Sequence, residues 1–310
     1  MHCNKPIPFD ETLLEDCYVE CSQAILRAKN IILRGHVNKE EEPIWALKAL
    51  TLTDLTTLAG DDTKSNVARL CQRAANPFTL NTLSKIDSNI RPNIHAAAVC
   101  VYPARVSDAF DSLKCLKKLN VIQIAAVATG FPTGQYPLIS KLQEIEYAIS
   151  KGATEIDIVI DRNLALNENW EKLYNELVEM RKICSNKAHM KTILAVGELG
   201  TMTNVKKASM VAMMAGSDFI KTSTGKESVN ATLPVSLVMI EAIQKFHRKT
   251  GIKIGFKPAG GIKSVRDAIN WMILVKETLG MEWLNPNLFR FGASSLFDDI
   301  EKCILSAFEC

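Results

Sequence analysis

Hydrophobic positions along the chain follow two alternating rhythms from about residue 46 onward. Short runs rich in Val, Ile, Ala and Thr are each followed by a longer stretch whose apolar residues recur every three or four positions. That is the signature of strands alternating with amphipathic helices. LKALTLTDLTTL predicts the first strand, with a helix from near Asp62 to Ala75 behind it. HAAAVCVYP predicts the second, before a helix near 105–118, and VIQIAAVATG the third, before PLISKLQEIEYAISKG. TEIDIVI leads into NENWEKLYNELVEMRKICS, and MKTILAVGEL into TNVKKASMVAMMAG. DFIKTST precedes a helix from Leu233 to Lys249, KIGFKPAGG precedes SVRDAINWMILVKETLG, and LFRFGAS precedes SLFDDIEKCILSAF.

Eight βα units predict an α/β fold, specifically a closed (β/α)8 TIM barrel. An open doubly wound sheet would carry a glycine-rich turn after its first strand, and no GxGxxG stands there. Residues 1–45 read as an N-terminal helical extension, interrupted by the charged run NKEEE, packed on a catalytic barrel domain spanning 46–310. No linker rich in Pro, Gly or Ser divides the chain.

Composition narrows the function classes. With 47% hydrophobic and 23% charged residues, the chain can bury a sizeable core. A net charge of +3, with basic residues spread out and no aromatic-plus-basic stripe, predicts neither a nucleic-acid nor a membrane partner. No apolar run approaches the roughly 20 residues of a membrane span, and the polar N-terminus lacks a signal-peptide core. A cytoplasmic protein is the expectation, and a homo-oligomer is compatible with it. The nine cysteines are odd in number and scattered, which points to reduced thiols; Cys17 and Cys21 read as small apolar residues on one helical face. His2, His36, His95, His189 and His247 show no metal-ligand spacing, so no metal is expected.

The chemistry of such a barrel lies at the C-terminal ends of its strands. A lysine inside a strand is informative there, and Lys221 sits in DFIKTST. Alternation puts Phe219 and Lys221 on one face and Ile220 and Thr222 on the other. For one strand in isolation, an exposed lysine at the strand end is the better reading. Lys257 at the end of the seventh strand and Asp157 inside the fourth change that balance. Two neighbouring ammonium groups in a buried site disfavour each other's charge, leaving one free amine able to attack a carbonyl. Asp157 reads equally well as a proton shuttle or as a structural ion pair with these lysines. The turns KPAGG and RFGASS present small residues and backbone N–H groups at helix starts, a place where this fold binds phosphate.

Together the runs LTDLTTLAGDDT, AAAVCVYPARV, GATEIDIVI, GELGTMTN, FIKTSTGKESVNATLP, IGFKPAGGI and FRFGASSL resemble the deoxyribose-phosphate aldolases, in order from about residue 46 to about 300. The longer N-terminal segment is similar to the eukaryotic-type members. The resemblance implies a class I aldolase that cleaves 2-deoxy-D-ribose 5-phosphate reversibly to D-glyceraldehyde 3-phosphate and acetaldehyde, with no cofactor. It implies Lys221 as the Schiff-base lysine, Lys257 as the lysine that perturbs it and Asp157 as the proton relay. Asp54, Thr56 and Cys100 match sugar-side positions, although Cys100 reads equally well as a small buried hydrophobe. Thr224, Gly225, Lys226, Gly260, Gly261, Gly292, Ser294 and Ser295 match phosphate-side positions. Three features depart from the family pattern: Asp161, expected on the same strand face as Asp157; Val196 ahead of Gly197; and an end at Cys310 without a tyrosine-bearing tail.

Three other readings compete. A different Schiff-base barrel enzyme is disfavoured by the STGK and KPAGG pairing. A catalytically silent homologue serving as a binding or scaffold protein is disfavoured by Lys221, Lys257 and Asp157 standing together, because burying them has no structural benefit. A nucleic-acid-binding module is the weakest.

Overall fold

The computed structural model describes residues 3–308. Three helices come first: α1 (Thr12–Glu15), α2 (Cys21–Arg34) and α3 (Glu42–Thr51). The first half of the barrel follows as β1 (Thr53–Thr56), α4 (Lys64–Ala75), α5 (Leu80–Lys85), β2 (Ala98–Val101), α6 (Val106–Cys115), β3 (Gln123–Ala128), α7 (Leu138–Ser150) and β4 (Glu155–Val159). The second half comprises α8 (Arg162–Leu166), α9 (Trp170–Cys184), β5 (His189–Ile193), α10 (Met202–Met214), β6 (Phe219–Lys221), α11 (Leu233–Thr250), β7 (Gly255–Lys257), α12 (Val265–Leu279), β8 (Phe291–Ala293) and α13 (Leu296–Ser306).

The eight strands form one parallel sheet in the order β7-β6-β5-β4-β3-β2-β1-β8. Parallel bridges from Phe256 to Phe289 and from Ala259 to Gly292 join the two end strands and close the barrel. Closure leaves no unpaired sheet edge. The predicted strands and helices therefore form in the predicted order. The main difference lies at the first strand: LKALT, read as its start, is the end of α3, and β1 is only TDLT. Ala46, Ala49 and Leu50 are buried among the barrel helices with helical rather than alternating spacing. The boundary expected between residues 45 and 46 thus falls inside α3.

Alternation along the strands sorts residues into two cores. Outward-facing Val99, Ile124, Ile156, Ile158, Ile220 and Phe256 join the layer under the helices. Inward-facing Cys100, Ala125 and Val127 form a small separate cluster inside the barrel. Glycine serves a packing need at Gly255, where a Cβ would stand 2.4 Å from the Phe219 ring, so the barrel can hold that ring only with glycine opposite. No helix among the described residues is long and apolar enough to cross a membrane.

The N-terminal segment packs at the end of the barrel away from the strand C-termini. The Ile7 amide donates to the Met214 carbonyl at 2.9 Å, and the Asn4 amide donates to Asp218 Oδ1 at 2.6 Å. Cys17 lies between α1 and α2 and is buried, whereas Cys21 opens α2 and is exposed, so the two do not share a helical face. Asp218 is also bound by Arg181 Nη1 at 2.6 Å and by the Met190 amide at 2.8 Å. Arg181 in turn donates to the carbonyls of Ser185 and Ala188. This buried pair ties α9, β5, β6 and the N-terminus together. Arg181→Ala leaves a buried carboxylate and two carbonyls without their partner. It is expected to lower unfolding free energy by about 3 kcal/mol in a denaturant titration. A change below about 1 kcal/mol would show that water replaces the guanidinium there.

Candidate active site

The inside of the barrel is not filled with apolar side chains alone. Asp54 points inward from β1, Glu155 and Asp157 from β4, Lys191 from β5, Lys221 from β6, Lys257 from β7 and Arg290 from the approach to β8. Lys221 and Arg290 are each 3% exposed, and the other five are fully buried. Strand register sets them at matching levels: Asp157 stands opposite Lys191, and Lys221 opposite Lys257.

Asp157 is the hub. Its Oδ2 accepts from Lys221 Nζ at 2.8 Å and from Lys257 Nζ at 2.7 Å, while its Oδ1 accepts from Lys191 Nζ at 3.2 Å. Asp54 Oδ2 accepts from Lys191 at 3.1 Å and from Lys257, and Asp54 Oδ1 accepts from Arg290 Nη1 at 2.6 Å. Glu155 completes the set, binding Lys191 through Oε2 and Arg290 Nη2 through Oε1 at 2.8 Å. Phe219 packs against both Lys191 and Arg290, with each cation 5.9 Å from its ring centroid.

Burial works against the charges of Asp54, Glu155, Asp157, Lys191, Lys257 and Arg290, and pairing outweighs it. Lys191, Lys257 and Arg290 hold the Asp54 carboxyl far below the usual carboxylate range. Lys191, Lys221 and Lys257 do the same for Asp157, and Arg290 and Lys191 lower Glu155. Conversely, Asp157 and Asp54 hold Lys257 above the ordinary lysine value despite its burial. Lys257 is therefore a firmly charged ammonium beside Lys221, fixed by carboxylates that its own charge keeps ionised. Burial, then Asp157, push the Cys100 thiol up, so it is neutral and packs with Ala125 and Val127.

Above this cluster a cavity of roughly 370 Å³ opens at the C-terminal ends of the strands. Lys221 stands at its floor, and Thr56, Thr224, Gly225, Lys226, Gly260, Gly261, Gly292, Ser294 and Ser295 line its walls. Asp157, Lys257 and Asp54 lie beneath it. Asp54 is thus a counter-ion under the floor rather than part of the cavity wall. Gly292 allows close approach, since a Cβ there would stand 2.8 Å from that of Ala259 and 3.5 Å from Lys257 Cε.

Several backbone N–H groups around the cavity are already engaged. The Thr224 amide donates to both oxygens of Glu227 at 3.0 Å, and the Gly225 amide donates to one of them at 3.1 Å, so neither is free. Of the two helix starts after β7 and β8, the one at α12 is closed by a capping box between Ser264 and Asp267. The start of α13 has no side-chain cap at Ser295. Asp161, expected on the strand face of Asp157, lies beyond β4 and caps α8 by accepting from the Asn163 amide at 3.0 Å. Lys191, Glu155 and Arg290 escaped the sequence reading. Each carried a usable signal: a lysine inside MKTIL, a glutamate two residues before Asp157, and an arginine two residues before Gly292.

A larger cavity, roughly 850 Å³, lies at the other end of the barrel, with Glu155 and Arg290 among its lining residues. Lys221 does not reach it; of the two cavities, only the smaller is lined by Lys221. At that far end Cys3, His189 and Asp218 bring potential metal-ligating atoms within 4.8 Å of one another. Asp218 already serves Asn4, Arg181 and Met190, and a cation there would stand against the Arg181 guanidinium.

Comparison with known proteins agrees with this geometry. The profile of the DeoC/LacD family aldolases matches residues 48–297. A deoxyribose-phosphate aldolase of Homo sapiens is 54% identical over 301 residues, covering 97% of this chain and 93% of that protein. One from Agrobacterium fabrum (strain C58) is 37% identical, covering 82% and 90%. In fold, the chain is similar to the apo crystal structure of a putative deoxyribose-phosphate aldolase from Toxoplasma gondii ME49, with a TM-score of 0.72 at 23% identity, covering 86% of this chain and 98% of that one. A parallel barrel with a lysine at the floor of its C-terminal cavity, matched by the family profile over all eight strands, belongs to the DeoC/LacD aldolase family.

Proposed function

We propose that this enzyme is a deoxyribose-phosphate aldolase, as relatives of 54–56% identity are named, and that it works by the class I mechanism with Lys221 forming the imine. The observation that carries the reading is a count of charges. Asp54, Glu155 and Asp157 face Lys191, Lys221, Lys257 and Arg290, so one cation is in surplus. Lys191, Lys257 and Arg290 each bind at least two carboxylates, whereas Lys221 binds one and borders the cavity. Loss of a proton from Lys221 balances the buried cluster and yields the nucleophile.

The neutral amine adds to C1 of open-chain 2-deoxy-D-ribose 5-phosphate, and loss of water leaves a protonated imine. The products have two and three carbons, so the bond that breaks joins C2 to C3. A base takes the C3 hydroxyl proton, D-glyceraldehyde 3-phosphate leaves, and the electron pair moves into an enamine on Lys221. Protonation of the enamine and hydrolysis release acetaldehyde. Asp157 bridges Lys221 and Lys257, giving protons a hydrogen-bonded route between them. Lys226, Gly260, Gly261, Ser294 and Ser295 surround the place for the phosphate. The free cysteines among the described residues fit a reducing compartment, and we read the protein as cytoplasmic.

Borohydride reduction in the presence of 2-deoxyribose 5-phosphate should leave a stable adduct on Lys221, located by peptide mass mapping and lost in Lys221→Met. A folded protein that turns over no substrate and traps no adduct would overturn the aldolase reading, and an adduct on Lys226 or Lys257 would overturn the roles. Lys257→Leu removes the surplus cation, so Lys221 must stay protonated to balance three carboxylates. The acidic limb of kcat/KM should therefore move up by about one pH unit or more; an unshifted profile argues against charge balance as the cause. Ser294→Glu should raise KM for the phosphorylated sugar by about tenfold or more through repulsion. Equal loss on unphosphorylated 2-deoxyribose would mean general damage instead.

A further inference from the structure

Glu227 makes none of the contacts in the charged cluster, yet it is only 8% exposed and its carboxylate is fully engaged. It accepts from the amides of Thr224 and Gly225 and from Thr224 Oγ1 at 2.7 Å. The Lys226 amide donates to the same Thr224 hydroxyl at 3.0 Å, so three successive N–H groups turn inward. Gly225 has φ +85° with open space around it, so glycine is required there by backbone conformation rather than by crowding. Successive amides in such a turn form a concavity that attracts an anion. Here the anion is the chain's own.

We propose that Glu227 is a positioning residue for phosphate recognition. Its carboxylate fills the anion-binding turn after β6, so that the turn acts as a rigid mount for Lys226 instead of binding phosphate itself. The inference rests on the aldolase reading above. Two further observations support it. Glu227 lines a groove on the far side of the turn, with Arg162 and Glu198, and is absent from the substrate cavity, whereas Lys226 borders both. The negative charge is therefore kept behind the wall. The turn is also locked to the neighbouring loop after β7. Asn230 Nδ2 donates to the Glu227 carbonyl at 3.0 Å, and a Cβ on Gly260 would stand 2.6 Å from Asn230. The Ala231 amide donates to the Ala259 carbonyl at 3.3 Å. Glu227 thus sets the spacing between Lys226 and the Gly260–Gly261 turn, the width that selects a phosphate.

The test is steady-state kinetics of Glu227→Ala and Glu227→Gln on 2-deoxyribose 5-phosphate and on unphosphorylated 2-deoxyribose, after thermal melts establish that both variants fold. Loss of the acceptor should raise KM for the phosphorylated sugar about tenfold in Glu227→Ala, with kcat and the reaction of 2-deoxyribose changed less than about twofold. Glu227→Gln keeps an acceptor oxygen and should stay within about threefold of wild type. Inorganic phosphate should inhibit Glu227→Ala more weakly than wild type. Equal losses on both sugars, an unchanged KM in Glu227→Ala, or tighter phosphate inhibition in either variant would overturn the proposal. Those outcomes leave the aldolase reading intact, since it fails only if the wild-type protein does not cleave the phosphorylated sugar.

Discussion

One carboxylate shared by three lysines governs this barrel. Fully buried Asp157 binds Lys191, Lys221 and Lys257 beneath the cavity, where an unpaired charge would be costly. Each further member of the cluster exists to satisfy the others. Lys191 and Lys257 need Asp54, Asp54 needs Arg290, and Arg290 needs Glu155. Apolar parts of the interior adapt to that column: Phe219 lies against Lys191 and Arg290, and Gly255 and Gly292 give up their side chains to make room.

The column is asymmetric in a way that suits one reaction. At its lower end Arg290 and Glu155 form a bidentate pair, whose planar fork holds geometry and charge together. At its upper end Lys221 has one partner and open space above it. On the proposed reading, this rigid charged floor lets Lys221 act as the nucleophile while the other cations stay paired. The electrostatic work of arranging dipoles is done when the protein folds, and little is left for the reaction itself.

The rim solves a different problem. A phosphate needs donors, and helix starts and glycine turns supply them, but several of those near the cavity are already used. Ser264 and Asp267 close α12, and Glu227 fills the turn after β6. What remains toward the cavity is the Lys226 side, the two positive-φ glycines at 260 and 261, and the uncapped start of α13. Internal anions thus decide which donors are left for an external one.

The order and type of the elements were legible in the residues, because strand and helix periods are local properties of the chain. Lys221, Lys257 and Asp157 stood out for the same reason: a charge inside an apolar strand run is visible without any partner in view. The seven motifs also pointed to the family before any contact was known. Lys191 obeyed the same rule and passed unread, since its value lies in touching Asp54, Glu155 and Asp157 from three directions. Position along the chain likewise could not separate Asp54, beneath the floor, from Thr56, on the wall, two residues later on one strand face. Nor could it show that Glu227 consumes the amides of Thr224 and Gly225, or that the run LKALT belongs to a helix. The residues by themselves determined the alternating units, the barrel they close into and the inward-facing charges. Only the tertiary structure decided which of those charges satisfy one another and which is left over, because balance in a buried cluster depends on distances across the barrel that no single strand contains.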